Sequence, residues 1–263
     1  PPSERPPQSE VERFRETHER HYQCVNAVVD DLKDRGIRLF KSERGKLRDY
    51  SQFDLIVTVG GDGTFLEGAR YTRQQLILGI NSDPAWSVGK LCGSNAQTFQ
   101  TFFDHILNDE HDVQFLNRLV LTAPKLEYEV HFFNDILVAH LNPAGLSRYV
   151  LDIDGRAEEQ RGSGLWISTA AGSTGAIFSA GGQAMNPESE EFQYLPRELY
   201  RAWNHSDYVL TGGVLPPSSV IRITSLMDAG MIFIEGSHEK ALFPAHSEIY
   251  VRRSPYPLHV VRQ

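Results

Sequence analysis

Cysteine is scarce in this chain: its 263 residues hold two, Cys24 and Cys92, far apart and without a Cys-x-x-Cys pair. That excludes a disulfide framework and leaves no zinc signature, so two buried thiols in a reducing compartment are expected. Positive charge is also in short supply. Against 34 Asp and Glu there are 26 Lys and Arg, a formal net charge of −8, which argues against a nucleic-acid or anionic-membrane surface. Phosphorylated ligands must then be met by local groups. No apolar run approaches the length of a membrane span, and the proline-rich, charged start is unlike a secretory signal. A soluble, cytoplasmic protein is expected, with no nucleic-acid or membrane partner. His-Glu-x-x-His, Gly-x-Ser-x-Gly and Gly-x-Gly-x-x-Gly are missing too, and with them support for metalloprotease, α/β-hydrolase and dehydrogenase readings. The ten histidines are scattered; His18 and His21 read as helix-surface residues rather than a ligand pair.

What is present centres on residues 54–66. Residues 55–59 form an uncharged, partly β-branched run that reads as a strand buried on both faces. It stops at Gly60-Gly61. After Asp62 and Gly63 the spacing becomes helical, with Thr64 placed to cap and Phe65, Leu66 and Ala69 on one side, and residues 76–80 supply a second buried strand. Three glycines at such a turn permit positive φ and bring backbone N–H groups close to a ligand, and a helix N-terminus favours phosphate. Asp62 is the informative residue. A carboxylate is electrostatically unwelcome in a phosphate loop unless it acts as a base or holds a metal ion, and the loop lacks the Walker A lysine. An Asx-type turn is the alternative.

Ahead of this unit, residues 1–8 carry no apolar pattern and are expected to be loosely held. From Ser9 the apolar steps of three and four predict a long helix stopped at Gly36, and 37–40 reads as a strand. After it, 78–84 reads as a strand ending in a polar turn at the carboxyl edge of a parallel sheet, where open α/β folds gather ligands. Residues 96–107 read as an amphipathic helix burying Phe99, Phe102, Phe103, Ile106 and Leu107. From about residue 113 the texture alternates, and short strands are predicted near 118–122, 126–132, 136–140, 149–154, 165–169, 220–224, 231–234 and 248–251. Pro187, Pro196 and mixed charge make 183–210 a helical or irregular insertion. The chain therefore reads as an α/β domain over 1–113 and a β-rich domain over 114–248, with 249–263 returning to the first domain.

Two further polar clusters lie in turns. Asn134-Asp135 interrupts an apolar strand start with an amide and a carboxylate, a pair able to bind a sugar diol or purine edge, although a bare Asn-Asp is commonly only a turn. Residues 161–182 place a strand before the small-residue turn Ala170-Ala171-Gly172-Ser173-Thr174-Gly175 and end in Ser179-Ala180-Gly181-Gly182, a chain of hydroxyls and backbone donors suited to a phosphorylated ligand. A flexible serine-rich loop fits poorly, because Trp166, Ile167, Ile177 and Phe178 bracket it.

The turn Gly60-Gly61-Asp62-Gly63-Thr64 resembles that of the NAD kinase family, of lipid kinases of the diacylglycerol and sphingosine type and, more loosely, of 6-phosphofructokinases. With Asn134-Asp135 and the Gly-Ser-Thr turn in this order, residues 52–183 are similar to the NAD kinase family. Gly79-Ile80-Asn81-Ser82-Asp83-Pro84 with Gly89-Lys90-Leu91-Cys92, and Ser163-Gly164-Leu165, resemble the branch of mitochondrial NAD kinases and plant NADH kinases. Common bacterial members carry Asp where Ser163 stands, Tyr where Ala176 stands and Asp-Gly-Gln where Glu235-Gly236-Ser237 stands, departures on the nicotinamide side.

The resemblance implies a Rossmann-like α/β N-terminal domain and a β-sandwich C-terminal domain, the NAD kinase/diacylglycerol kinase-like fold. It implies transfer of a phosphoryl group from ATP, with Mg²⁺ on the nucleotide, to the 2′-hydroxyl of the adenosine ribose of NAD or NADH. Asp62 would take the ribose proton, Gly60, Gly61, Gly63 and Thr64 would bring the dinucleotide close, and Asn134 with Asp135 would hold the adenosine. Thr174, Gly175 and Ser179 would meet the adenine end, Ser163 the nicotinamide side, and Arg148 and Arg161 phosphate or a neighbouring subunit. No metal ligand is assigned to the protein itself. A homodimer or larger homo-oligomer is expected. The chain starts without methionine, and family members open with a strand before the first helix, so an upstream piece is expected. Rival readings are a lipid kinase, which needs an apolar slot or membrane-facing surface, and a non-catalytic dinucleotide-binding module.

Overall fold

The computed structural model describes residues 8–46, 49–124, 127–201, 207–237 and 239–262. The expectation for residues 1–7 and the start of the predicted strand at Leu126 lie outside the described residues. The chain divides into two compact units, Pro1–Gln114 with His259–Gln263, and Phe115–Leu258.

In the first unit, helix α1 (Gln8–Asp34) buries Cys24, Val28 and Leu32 from its C-terminal half. It ends where Gly36, at φ +73, lets its own N–H reach Lys33 O and the next N–H, of Ile37, reach Leu32 O. This paired arrangement satisfies carbonyls that the helix end would otherwise leave open. Ile37 packs against the same core cluster as Leu32. For that reason 37–40 is not the predicted strand: Ile37 closes the helix end, and Phe40 is exposed against Phe53.

Next come strand β1 (Leu55–Gly60), helix α2 (Asp62–Tyr71) and strand β2 (Leu76–Asn81). β1 and β2 run parallel, from Leu55 opposite Leu76 to Gly60 opposite Asn81. Phe65 and Ala69 of α2 are fully buried. The helix lies close on the strands because Gly68 has no side chain: a Cβ there would stand 2.6 Å from Thr58 Cγ2.

Short strand β3 (Ser94–Asn95) pairs with the end of β2, helix α3 (Phe99–Leu107) follows, and β4 (Asp112–Leu116) completes the outgoing part. The last strand of the chain, Leu258–Arg262, lies between β2 and β4. α3 buries Phe99, Phe102 and Phe103 as predicted, but Leu107 is 51% exposed. It lies at the end of the helix, one position beyond Ile106 on the inward stripe.

The second unit contains β5 (Leu119–Ala123), β6 (Tyr128–Phe132), β7 (Asp135–His140), β8 (Ser147–Ile153), β9 (Arg156–Gly162) and β10 (Gly164–Thr169). After a one-turn helix α4 (Ala176–Ser179) come β11 (Phe192–Arg197), β12 (Gly213–Leu215), β13 (Ile221–Ser225), β14 (Gly230–Ile234), β15 (Glu239–Leu242) and β16 (Glu248–Arg253). Two antiparallel six-stranded sheets result, ordered β12-β11-β10-β7-β14-β15 and β6-β5-β16-β13-β8-β9. Residues of both sheets, among them Phe132, Ile136, Tyr149, Leu165, Ile223 and Ile232, share one buried cluster, the core of a sandwich.

Every strand predicted between 118 and 251 is present. β9, β11 and the short β12 and β15 are additional: β9, Arg-Ala-Glu-Glu-Gln-Arg-Gly, is a charged sheet edge with little inward face. In β11, Pro196 lies past the end of β12, which pairs only with Phe192–Tyr194. There the strand is an edge, where a missing N–H is tolerated. The irregular insertion predicted over 183–210 therefore contains a strand, and its residues 202–206 lie outside the described part. β16 belongs to the second unit, and the return to the first begins at His259.

Gly79 of β2 is where the sheet, α2 and the 89–93 segment meet. A Cβ there would stand 2.9 Å from both the Cys92 Cα and the Phe65 ring. Gly79→Ala is therefore expected to cost about 1–3 kcal/mol through overpacking, read as a lower urea midpoint with an unchanged slope.

Candidate functional site

The first cluster is built on the β1–α2 turn. Gly61 is the N-cap of α2 and Asp62 its first residue, so the predicted capping role of Thr64 is not realised: the helix begins two residues earlier. The freedom for positive φ expected of the turn's glycines is not used. None of Gly60, Gly61 or Gly63 has a positive φ. A Cβ on Gly60 would fall 2.3 Å from Thr64 Oγ1, and one on Gly61 2.6 Å from Ser87 Oγ. The two make room for neighbouring hydroxyls. A Cβ on Gly63 would meet nothing within 4 Å, and Gly63 is exposed. Neither packing nor backbone conformation asks for glycine there.

The half-buried Asp62 carboxylate accepts the N–H groups of Lys90, at 3.2 Å, and Leu91, at 2.8 Å, one on each oxygen. With its place in the first turn of α2, where negative charge is favoured, this shows how the turn tolerates a carboxylate that sequence reasoning took as unwelcome. It shapes the chain by tying down a distant segment rather than by an Asx turn. Each oxygen keeps acceptor capacity. Cys92 is half-buried, unlike the fully buried Cys24, and points its thiol at Gly60 O. Burial, helped by the Asp62 charge, pushes that thiol up to about 11, so it stays neutral.

The segment after β2 hangs from Asn81, whose amide donates to Ser87 O and whose oxygen accepts from Asp83 N. Asp83 is buried and held by a two-pronged pair with Arg20 of α1, while His21 hydrogen-bonds Ser82. Burial lowers the pKa of His21. The sequence marked 78–84 as a strand ending in a polar turn at the sheet's carboxyl edge and 89–92 as part of the family resemblance; the roles of Arg20 and of the Lys90 and Leu91 amides were not readable from it.

The second cluster, in the second unit, is where Asn134-Asp135 opens β7. The Glu235 carboxylate accepts the N–H groups of Phe133, at 2.7 Å, and Asn134, at 2.9 Å. Asn134 O accepts from Thr169 N and Ser168 Oγ, both at 3.1 Å, and the Thr169 hydroxyl donates to Phe133 O. Gly172 must be glycine, since a Cβ would lie 2.2 Å from Asn134 O. The predicted row of ligand-facing hydroxyls is thus partly turned inward: Ser168, Thr169 and the buried Ser173, which accepts Met185 N, serve the turn itself. Thr174 and Ser179 are exposed.

Asn134, Asp135 and Gly175 are brought together, with the Gly175 Cβ direction 3.3 Å from Asp135 Oδ2. Asp135 is 4% exposed. Burial, then the neighbouring Glu235 charge, pushes its carboxyl from an ordinary 3.8 up to about 6, against the pull of an Ala176 N–H. Glu235 entered the sequence analysis only within Glu235-Gly236-Ser237, a departure from the bacterial Asp-Gly-Gln, and was given no role of its own.

The remaining candidates lie elsewhere in the second unit. Arg148 and Arg161, cross-strand partners on β8 and β9, both bind Glu159, whose pKa is lowered first by its hydrogen bond from Arg148. The trio carries one net positive charge. Ser163 lines a separate cavity of about 410 Å³ with Leu137, Trp166, Arg197 and Phe233.

Residues 7–111 match the ATP-NAD kinase N-terminal domain, and residues 133–263 the ATP-NAD kinase C-terminal domain. A probable NADH kinase of Oryza sativa subsp. japonica is 30% identical over 241 residues, covering 83% of this chain and 74% of its own. An NAD kinase from Archaeoglobus fulgidus, solved in complex with ATP, superposes with a TM-score of 0.71 at 26% identity, over 90% of this chain and 88% of that one. Yeast NADH kinase complexed with NADH gives 0.68 at 23% identity, a likeness of fold, over 80% of this chain; the chain spans 62% of the yeast one. The chain belongs to the NAD kinase family and is a kinase.

Because folded Asp135 holds its proton more tightly than the unfolded chain does, stability falls as pH rises from about 4 through about 6. Above that window the ionised form costs on the order of 2–3 kcal/mol. Asp135→Asn is expected to be more stable than wild type at pH 8 and equal to it below about pH 4, measured by urea unfolding across pH.

Proposed function

We propose that this chain transfers the γ-phosphoryl group of ATP to the 2′-hydroxyl of the adenosine ribose of NAD or NADH, forming NADP or NADPH and ADP. The observation that carries this reading is Asp62: a carboxylate held rigidly at a glycine turn by two backbone N–H groups, with acceptor capacity left over. It takes the proton of the ribose hydroxyl as the oxygen bonds to the γ-phosphorus and ADP leaves. Phosphoryl transfer passes through a loose transition state, so positioning and charge stabilisation do most of the work.

Asn134 and Asp135 hold the adenosine ribose and Thr174, Gly175 and Ser179 the adenine end. Gly63 leaves space for the ligand, since nothing in the protein occupies its Cβ direction. Arg148 and Arg161 retain one net positive charge for phosphate or a neighbouring subunit, and Ser163 faces the nicotinamide side. Mg²⁺ arrives on the triphosphate and neutralises its charge. Among the described residues no group of three His, Cys, Asp or Glu side chains comes together. The enzyme works as a homodimer or larger homo-oligomer in the cytoplasm; light scattering tests the first part. Against the lipid kinase, the observation that counts is the Asn134-Asp135 pair packed on the Gly-Ser-Thr turn. Intact Asp62 counts against a non-catalytic module.

With Mg²⁺-ATP and NAD, NADH or a diacylglycerol offered in parallel, only the dinucleotides should be phosphorylated. Asp62→Asn should lower turnover about 100-fold or more while dinucleotide binding persists; near-normal turnover would rule out the base role. Gly63→Ala should leave the fold unchanged or stabilise it by about 0.5–1 kcal/mol, as alanine does in a helix, yet raise the KM for the ligand that passes over it. A wild-type KM for both substrates would show that nothing approaches there.

A further inference from the structure

Glu235 follows the last residue of β14 with its backbone at φ +50. That left-handed conformation costs a side-chain-bearing residue about 1 kcal/mol and is where glycine normally sits. Its carboxylate also stands near that of Asp135, an unfavourable like-charge neighbour. Two local costs fall on one side chain. Set against them is a set of three hydrogen bonds to three successive residues: Oε1 accepts from Phe133 N and Asn134 N, and Glu235 N donates to Asp135 O at 2.9 Å.

Resting on the functional reading above, we propose that Glu235 is a positioning residue for the phosphoryl acceptor: by holding the N–H groups of Phe133 and Asn134 it fixes the peptide that presents Asn134 and Asp135 to the acceptor's ribose. It acts through that pair and touches no reacting atom. Small misplacement of a bound reactant is costly in rate, and on the carbonyl side both Phe133 O and Asn134 O are already held by Thr169. Without Glu235 the amide side of the same peptides loses its acceptor. The groups facing Asp135 are the Glu235 carboxylate from the end of β14 and the Ala176 N–H from α4. After burial, the Glu235 charge also raises the pH at which Asp135 ionises.

The experiment uses the whole chain with Mg²⁺-ATP, NAD and NADH. Wild type comes first: failure to phosphorylate either dinucleotide overturns the functional reading, and the inference with it, before any variant is made. Glu235→Gly relieves the left-handed backbone while removing the oxygen that accepts both N–H groups. It should remain folded, the relieved backbone offsetting part of the cost of the lost acceptor, raise the KM for the dinucleotide about tenfold or more, leave the KM for ATP within about twofold, and speed amide hydrogen exchange at Phe133 and Asn134. Glu235→Gln keeps an acceptor but not the charge. It should raise the KM less and move the acid limb of the kcat/KM profile to lower pH, because Asp135 then ionises more readily. A Glu235→Gly protein with a wild-type dinucleotide KM, an equal rise in both KM values, or an unmoved acid limb in Glu235→Gln overturns the proposal.

Discussion

In each unit the candidate cluster depends on one carboxylate accepting two successive backbone N–H groups. In the first unit Asp62 takes those of Lys90 and Leu91, and in the second Glu235 takes those of Phe133 and Asn134. Segments leaving a strand turn their amides away from the ladder, and an amide shielded from water without an acceptor costs about 1–3 kcal/mol. A carboxylate at such a point meets that need with charge-assisted bonds. It also brings a fixed negative charge to a cluster proposed to handle a phosphorylated ligand, and on that proposal the charge must be compatible with the chemistry. In the first unit it is the proposed base. In the second it raises the proton affinity of its neighbour.

Absent side chains matter as much as present ones. Gly60, Gly61, Gly79 and Gly172 are close-approach positions, where a methyl group would collide with Thr64, Ser87, Cys92 or Asn134. They let a helix, a loop and a strand come within van der Waals distance, so that the functional groups rest on packed backbone rather than on long side chains. Gly63 is different. Its missing Cβ leaves open space, and among the glycines of the β1–α2 turn it is the one whose identity the protein's own packing does not explain.

Asp135 shows what such an arrangement costs. A carboxyl that is 4% exposed and next to another carboxylate is a poor choice for stability and a useful one for recognising hydroxyl groups, since sites suited to a ligand are commonly strained before it arrives. The Arg148–Glu159–Arg161 trio is the reverse case. It is half-exposed, with one carboxylate shared between two guanidinium groups, and contributes little to stability.

The order of elements, the sandwich strands with alternating or continuous apolar residues, the stop at Gly36 and the βαβ unit around Asp62 were all readable from the sequence, because periodicity and turn chemistry are local properties. So were Asn134, Asp135 and the Gly-Ser-Thr turn as a group, since residue type and order carried the family resemblance. The charged edge strand β9, the proline-bearing β11 and the loss of 37–40 as a strand were not, because pairing partners and helix-end packing decide them. Nor was the direction of the hydroxyls in 168–173, or the part played by Glu235. A side chain's hydrogen-bond partner about a hundred residues away is set by which strands lie side by side, and only the folded sheet supplies that.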